Sequence, residues 1–278
     1  MTHTTPYILT TDNILQAIDA RYYQFIIQIS LLIWGVFYLD ILIHPMHLVV
    51  TLFAGSITQF IFTRHLRLPF NMLSTINSMM SILILLHASS WVWMALAGII
   101  AVSSKYLIRY KDNHIFNPSN IGIIAVLLLV PETWANPGQW GQAMWITLFL
   151  SGLGLVLLLS ITQMLASISF IALFVSLTFI HAYWLGDPIA LPLHQLQSGA
   201  VLIFAFFMLS DPMTTPKNPL GRVIFGSWIG FISWFLQYQL YIPNAFLYAL
   251  ALSMPLVLLL NHVLVGNTYQ WPKGQRLG

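Results

Sequence analysis

The chain is a succession of apolar segments, each about as long as a bilayer is thick, separated by short basic or polar stretches. Only 6% of its 278 residues are charged and 58% are hydrophobic, whereas roughly 25% of the residues in an ordinary soluble domain are charged. Backbone polar groups find no water inside lipid, so such segments must form helices or a closed barrel. The runs lack the two-residue alternation of barrel strands, which predicts an all-α polytopic membrane protein.

Hydrophobic windows of roughly 17 to 25 residues divide the chain into about ten predicted transmembrane helices. The fifth and the eighth are short for a full crossing. We expect one transmembrane domain over residues 1–278. Its first 22 residues are expected to form an amphipathic cytoplasmic segment that has no apolar core and is not a signal peptide. A cytoplasmic tail follows at 266–278, and the predicted spans are 23–41, 46–62, 70–87, 91–108, 119–134, 143–161, 165–185, 198–209, 222–239 and 245–265.

Every lysine and arginine falls on one side of this arrangement. Cytoplasmic loops are enriched in Lys and Arg, so the pattern predicts both the number of crossings and a cytoplasmic N-terminus. An even number of spans then places the C-terminus in the cytoplasm as well. The ten basic residues are Arg21, Arg64, Arg67, Lys105, Arg109, Lys111, Lys217, Arg222, Lys273 and Arg276.

The two halves of the chain share weak internal similarity. A shift of about 125 residues aligns "LPFNMLSTINSMM" in the third span with "LPLHQLQSGAVLI" leading into the eighth. Five spans per half is an odd number, so the repeats at 23–134 and 143–265 run in opposite directions. Inverted repeats bring short or broken helices of both halves together near the midplane.

The most hydrophilic stretch inside the apolar region is "KYLIRYKDNHIFNPSNIG", in which "NPSN" runs from Asn117 to Asn120. This tetrapeptide suits a helix start, because Asn and Ser cap free amides and Pro tolerates the first turn. One interpretation is an ordinary capped helix beside a basic loop. The other is a helix N-terminus set part-way into the membrane and aimed at a phosphate or carbonyl group, with Lys105, Arg109 and His114 nearby.

A second candidate cluster follows the eighth span, in "MLSDPMTTP". An ionisable group at membrane depth is a functional candidate, although Asp211 at a span end could equally be hydrated or paired with Lys217 or Arg222. Thr214, Thr215 and Arg222 complete this group as candidate cofactor-binding residues.

Nine histidines are many for such a chain. His87, His181 and His194 fall toward the outer face and are the candidate haem ligands. No pair has the four-residue spacing of ligands on one helix, and interfacial histidines with hydrogen bonds are commoner than ligands. No other metal site is indicated.

Several function classes are excluded by what the chain lacks. It has no cysteine, which rules out disulfides, a cysteine nucleophile and Cys-ligated iron–sulfur clusters. It has no phosphate-binding GxxxxGK[ST] loop, no dinucleotide GxGxxG after a strand, and no HExxH or usable GxSxG motif. Its formal net charge of only +3 gives no reason to expect a nucleic-acid partner.

The order and spacing of several motifs resemble the RnfD and NqrB membrane subunits of bacterial ion-motive electron-transport complexes, most closely the RnfD-like UnbU branch. The motifs are "NHIFNPSNIG", "PGQWG", "LQSGAVLIFAFFMLSDPMTTP", "LGRVIFG" and "PLVLLLNH". The resemblance implies ten helices in two inverted five-helix halves, a place in the bacterial inner membrane, and other subunits of a redox complex as partners.

The same resemblance identifies one departure. Family members carry FMN joined through its phosphate to the Thr of a Ser-Gly-Ala-Thr motif, and the matching residues here are Ser198, Gly199, Ala200 and Val201. Valine has no hydroxyl, so no covalent FMN is expected at Val201. The small residues still leave room for a non-covalent flavin or quinone beside the helix start.

Three functions remain open on these grounds. The chain is expected to be a redox-complex subunit that binds a non-covalent cofactor or docks redox partners. The alternatives are a cofactor-free anchor subunit and a small-solute or ion channel with a urea-transporter-like fold. A polar path from Asp211 to the outer face would favour a channel, and a plug of Phe and Met side chains, as "LIFAFFML" predicts, would disfavour it.

Overall fold

A computed structural model describes residues 19–39, 41, 43–110, 113–135, 164–196 and 199–266. The predicted amphipathic segment before residue 19, the sixth predicted span, Ser198 and the tail beyond residue 266 lie outside the described residues. The described helices are α1 (Ala20–Tyr38), α2 (Pro45–Leu66), α3 (Met72–Leu85), α4 (Trp91–Leu107), α5 (Pro118–Leu129), α6 (Met164–Leu185), α7 (Ala190–Leu196), α8 (Gly199–Ile203), α9 (Pro219–Tyr238) and α10 (Ala245–Val263). A π-helical turn, Phe204–Met208, continues α8, and the strands are β1 (Leu86–Ala88), β2 (Arg109–Tyr110), β3 (Asn113–His114) and β4 (Thr133–Ala135).

Three of the helices begin where an asparagine supplies a capping side chain. The Oδ1 atoms of Asn71, Asn117 and Asn218 accept hydrogen bonds from backbone amides two or three residues further on. Proline follows Asn117 and Asn218 in the first turn of each helix. A backbone N–H at that position has no partner within the helix, so its absence in proline has no cost. The start predicted at "NPSN" is therefore a helix start in the structure.

Four helices, α2, α6, α9 and α10, are long and apolar enough to cross a membrane. The apolar helices α3, α4 and α5 are shorter, and the 12 residues of α5 span only about 18 Å, against about 30 Å of hydrocarbon. The protein is an all-α polytopic membrane protein, as its composition predicts.

Two of the short helices end in strands, which the span pattern does not predict. The third and fifth spans are predicted to be helical to residues 87 and 134, but α3 ends at Leu85 and α5 at Leu129. Antiparallel pairing of β1 with β4 then satisfies the backbone groups, with Leu86 opposite Ala135. Non-helical backbone within a membrane protein is tolerated where it is buried in protein, and Leu86, Ala88 and Thr133 are buried. Exposed Glu132 beside β4 accepts hydrogen bonds from Ser89 Oγ at 2.8 Å and from Trp93 Nε1 at 3.0 Å.

Equivalent helices pack in the same way in each half of the chain. In the first half, α2 contacts α4, and α4 contacts α5. In the second half, α6 contacts α9, and α9 contacts α10. Helix α5 also contacts α10, which joins the halves. Glycines allow the closest approaches: a Cβ at Gly226 would lie 2.1 Å from the Ala166 carbonyl oxygen.

The π-helical turn fills the centre of the second half with apolar side chains. The Phe204 ring lies 5.2 Å from that of Phe170 and 5.5 Å from that of Phe246, measured between centroids. Ser167 donates a hydrogen bond from Oγ to the Ala205 carbonyl oxygen, a group that the altered helical pattern leaves available. Residues 204–208 are all buried, so this part of the eighth span is a packed plug.

Candidate functional site

A cavity of about 360 Å³ opens where five helices and the turn after the π helix meet. The N-terminal ends of α1, α3 and α5 and the C-terminal ends of α2 and α4 converge there, as expected for antiparallel neighbours. Its wall is polar although the surrounding helices are apolar. The polar lining comprises Arg21, Gln24, Gln59, Asn71, Ser74, Asn77, Ser78, Ser81, Lys105, Tyr106, Arg109, His114, Asn117, Ser119, Ser210 and Asp211.

Asn117 connects the two halves of the chain at the floor of this cavity. Its Oδ1 accepts hydrogen bonds from the Asn120 amide at 3.2 Å and from Ser119 Oγ at 2.8 Å, which caps α5. Its Nδ2 donates to the Met208 carbonyl oxygen and to Asp211 Oδ2, both at 3.4 Å. One side chain therefore begins the fifth span and holds the end of the eighth.

The structure brings Asp211 to the cavity and places its neighbours behind it. Asp211 Oδ1 accepts a hydrogen bond from the Met213 amide at 3.0 Å. The hydroxyls of Thr214 and Thr215 donate to the Asp211 carbonyl oxygen at 3.4 and 3.0 Å, and both residues are buried. Arg222 donates from Nε to the Pro216 carbonyl and from Nη2 to the Lys217 carbonyl. Thr214, Thr215 and Arg222 therefore build the turn that presents Asp211 and do not line the cavity.

Lys105 and Arg21 supply positive charge from two sides of the cavity. Lys105 Nζ donates to the Ser74 carbonyl oxygen at 3.3 Å and to Ser74 Oγ at 3.2 Å. Arg21 pairs with Asp19, with Nε lying 2.9 Å from Oδ1. Between described residues this is the one ion pair within 4.0 Å, so none of their carboxylates lies that close to Lys105.

A hydrogen-bonded polar stripe extends from the cavity between α1 and α3. Gln28 Nε2 donates to Ser81 Oγ at 2.7 Å, and Asn77 Nδ2 donates to the Arg21 carbonyl oxygen at 3.0 Å and to Gln24 Oε1 at 3.3 Å. Several buried side-chain oxygens here have no partner: Gln28 Oε1, Gln59 Oε1 and Asn77 Oδ1. Gln59 belongs to α2, and the other two residues belong to the stripe. Buried polar atoms are nearly always hydrogen-bonded, which makes these oxygens candidate contacts for a bound group.

Sequence reasoning misses this stripe, although a signal for it exists. Gln24 and Gln28 lie four residues apart in α1, as do Ser74 and Ser78 in α3, with Asn77 and Ser81 beside them. Residues four apart share a helix face. A polar face on an otherwise apolar transmembrane helix indicates a cavity or an interhelical contact.

Asn120, another predicted site residue, lies outside the cavity lining. Asn120 donates from Nδ2 to the Leu247 carbonyl oxygen of α10 at 3.1 Å, and its buried Oδ1 has no partner. Gly199 and Ala200 begin α8, and Val201 behind them is buried. Asn120 therefore ties α5 to α10.

The three candidate haem ligands have different surroundings. His87 stacks on Trp134 across the β1–β4 pair, with ring centroids 6.0 Å apart. His181 in α6 packs against Trp234 and Tyr238. His194 is exposed in α7. In the part of the chain that the structure describes, no cluster of three potential metal ligands is found.

The sequence of the chain is similar to those of known proteins. Residues 133–270 match the family model described as the NQR2, RnfD, RnfE family. Proteins named as the D component of an ion-translocating oxidoreductase complex are similar to the chain over about a third of its length. The one from Buchnera aphidicola subsp. Baizongia pistaciae is 30% identical over 91 residues, which is 33% of this chain and 26% of that protein.

Two Yersinia proteins of the same name extend the comparison. Those from Yersinia enterocolitica and Yersinia pestis are each 32% identical over 95 residues, which is 34% of this chain and 27% of the relative. The matched segment thus spans about a quarter of the length of these relatives. By residues 133–270, about half of its length, the chain belongs to the NQR2, RnfD, RnfE family.

Proposed function

We propose that the chain is a membrane subunit of a bacterial redox-driven, ion-translocating oxidoreductase complex and that its polar cavity binds a non-covalent redox cofactor. The names of its relatives support the complex. The observation that carries the cofactor is the polar lining of the cavity, in which the side chains of Gln59 and Asn77 each keep a buried amide oxygen without a hydrogen-bond partner. Other subunits of the complex are its expected partners, together with the lipid bilayer.

A flavin suits the cavity better than a quinone. The volume of about 360 Å³ is within the usual range of small-molecule sites. Buried acceptor oxygens require donors, and a flavin supplies imide N–H and ribityl O–H groups together with carbonyl acceptors. An oxidised quinone supplies only acceptors. A bound flavin would provide one- and two-electron transfer, while Gln59 and Asn77 orient its polar edge and the packed helices exclude water.

The proposed orientation places the cavity on the cytoplasmic side of the inner membrane, with both termini in the cytoplasm. The confinement of Lys and Arg to one side of the predicted topology supports this orientation. We propose two inverted five-helix repeats for the fold. The repeated packing of the second span against the fourth, and of the fourth against the fifth, supports them.

A channel is the weaker alternative. Phe204, Phe207 and Met208 are buried in a packed cluster directly above Asp211 along the eighth span. A conducting path along this span would need polar groups at these positions. A cofactor-free anchor subunit is the second alternative, and cofactor binding distinguishes it.

The test is riboflavin binding by the purified protein in phosphatidylcholine nanodiscs, followed by quenching of riboflavin fluorescence. We expect saturable binding that Asn77→Leu and Gln59→Leu each weaken about tenfold, since each removes a buried hydrogen-bond acceptor. Gln195→Leu is the matched control, because Gln195 is exposed in α7 and accepts a hydrogen bond from Tyr238 at 2.6 Å, away from the cavity.

Thermal unfolding of each variant shows whether it is folded. Wild-type protein that binds no riboflavin would contradict the cofactor proposal and favour the anchor subunit. Binding that is unchanged in both cavity variants would place the flavin elsewhere.

A further inference from the structure

Lys105 is a partly buried cation at the end of a predicted span, and its hydrogen-bond partners are neutral. It lies on the last turn of α4, is partly buried, and donates to two oxygens of Ser74. An ammonium group has three N–H donors, so one N–H of Lys105 is left over after the two hydrogen bonds to Ser74. Lys105 also lines the cavity, as does its partner Ser74.

Several other charged or titratable groups face the same space. Arg21 is neutralised by Asp19. Asp211 carries the negative charge of the lining, and its carboxylate is occupied by Asn117 and the Met213 amide. Arg109 and His114 lie on the short β2–β3 hairpin at the rim. Arg21 and Asp19 form an ion pair, and the remaining carboxylate of the described lining, that of Asp211, lies more than 4.0 Å from Lys105.

We infer that Lys105 binds an anionic phosphate group of the ligand in this cavity. The inference rests on the proposed function and extends it. Charges removed from water are stabilised by a paired opposite charge, and the described residues supply no carboxylate within 4.0 Å of Lys105. A charge-assisted hydrogen bond to phosphate provides that pair.

The two kinds of group on the wall define the ligand class. The unpartnered oxygens of Gln59 and Asn77 require hydrogen-bond donors, whereas Lys105 requires an anion. A phosphate monoester with a hydroxylated or imide-bearing body, such as non-covalent FMN, satisfies both. The headgroup of an anionic phospholipid carries the same phosphate chemistry and is the other source.

The experiment compares FMN with riboflavin, which differ only in the phosphate, in phosphatidylcholine nanodiscs. Wild-type protein is expected to bind FMN about tenfold more tightly than riboflavin, because one charge-assisted hydrogen bond contributes about this much to the affinity. Lys105→Gln is expected to reduce this preference to about one. Lys217→Gln is the matched control, because Lys217 lies outside the cavity lining, and it should keep the preference.

Nanodiscs that contain phosphatidylglycerol identify the source of the phosphate. If a lipid headgroup occupies Lys105, phosphatidylglycerol abolishes the preference for FMN in the wild type and changes nothing in Lys105→Gln, and the inference stands. Equal affinities for FMN and riboflavin in phosphatidylcholine, or a preference that survives in Lys105→Gln, would overturn it.

If the proposed function is wrong, the same experiment gives a different result. Protein that binds neither flavin in either lipid contradicts the flavin site but still permits a test of Lys105. Inorganic phosphate, followed by ³¹P NMR line broadening, should then bind the wild type at least about fivefold more tightly than Lys105→Gln. Equal broadening in the two proteins would contradict the inference by itself.

Discussion

Gly226→Ala is expected to destabilise the protein by about 3 kcal/mol or more. A Cβ at this position would lie 2.1 Å from the Ala166 carbonyl oxygen and 2.9 Å from its carbonyl carbon. Both are backbone atoms of α6, so no side-chain rotation relieves the overlap and α6 must move away from α9. Ser167, the next residue, holds the Ala205 carbonyl of the π-helical turn. The displacement would therefore reach the packed centre of the second half.

The measurement is the apparent unfolding midpoint in detergent, followed by intrinsic tryptophan fluorescence. Gly230→Ala on the same face of α9 is the graded control, since its Cβ would lie 3.0 Å from the Phe170 carbonyl oxygen. Gly221→Ala should have the smallest effect, because its nearest contact is a side-chain atom, Pro216 Cβ at 3.0 Å. A midpoint for Gly226→Ala no lower than that of Gly221→Ala would refute the close α6–α9 packing.

Asn117→Leu is expected to cost about 3 kcal/mol. It removes the cap of α5, worth about 1 kcal/mol, and leaves the buried Met208 carbonyl without its Asn117 donor, which costs about 1–3 kcal/mol. Asp211 loses a hydrogen bond in the same change. The expected outcome is a lowered unfolding midpoint together with loss of riboflavin binding, because the cavity floor is no longer held.

Two polar variants separate the functions of Asn117. Asn117→Ser and Asn117→Asp both keep an oxygen that can cap α5, but neither keeps the amide donor. Asn117→Asp also sets a second carboxylate against Asp211, at a contact that is now 3.4 Å. Repulsion between two carboxylates disappears when one is protonated. Asn117→Asp should therefore have a lower unfolding midpoint than Asn117→Ser at pH 8. The difference between the two midpoints should become smaller at pH 5. Equal midpoints at both pH values would mean that the two side chains are not in contact.

Much of the fold is predictable because the membrane restricts the choices. Within lipid every backbone group must be bonded inside the protein, so apolar length alone indicates a helix. The ends of α3 and α5 could not be predicted from apolar length, because residues 86–88 and 133–135 are apolar enough to continue a helix. Their pairing joins segments more than forty residues apart, and local sequence does not encode such a contact.

Some residues of the candidate site can likewise be recognised in the sequence, and others cannot. "NPSN" and Asp211 stand out because Asn and Asp are rare in apolar surroundings, and the structure joins Asn117 to Asp211 through one hydrogen bond. Thr214, Thr215 and Arg222 look equally polar in sequence, yet their hydrogen bonds turn them toward the backbone of their own loop. Whether a polar residue faces a cavity or its own chain depends on neighbours that are distant in sequence.

The sequence by itself determined the protein class and the start of α5, since these depend on hydrophobic length and on local capping. It also excluded Cys-ligated iron–sulfur chemistry and predicted no covalent FMN at Val201. Only the tertiary structure decided that Gln59, Asn77 and Lys105 share one cavity with Asp211. The physical reason is that hydrophobic burial is non-directional and selects helices, whereas hydrogen bonds between distant residues select which of their faces meet.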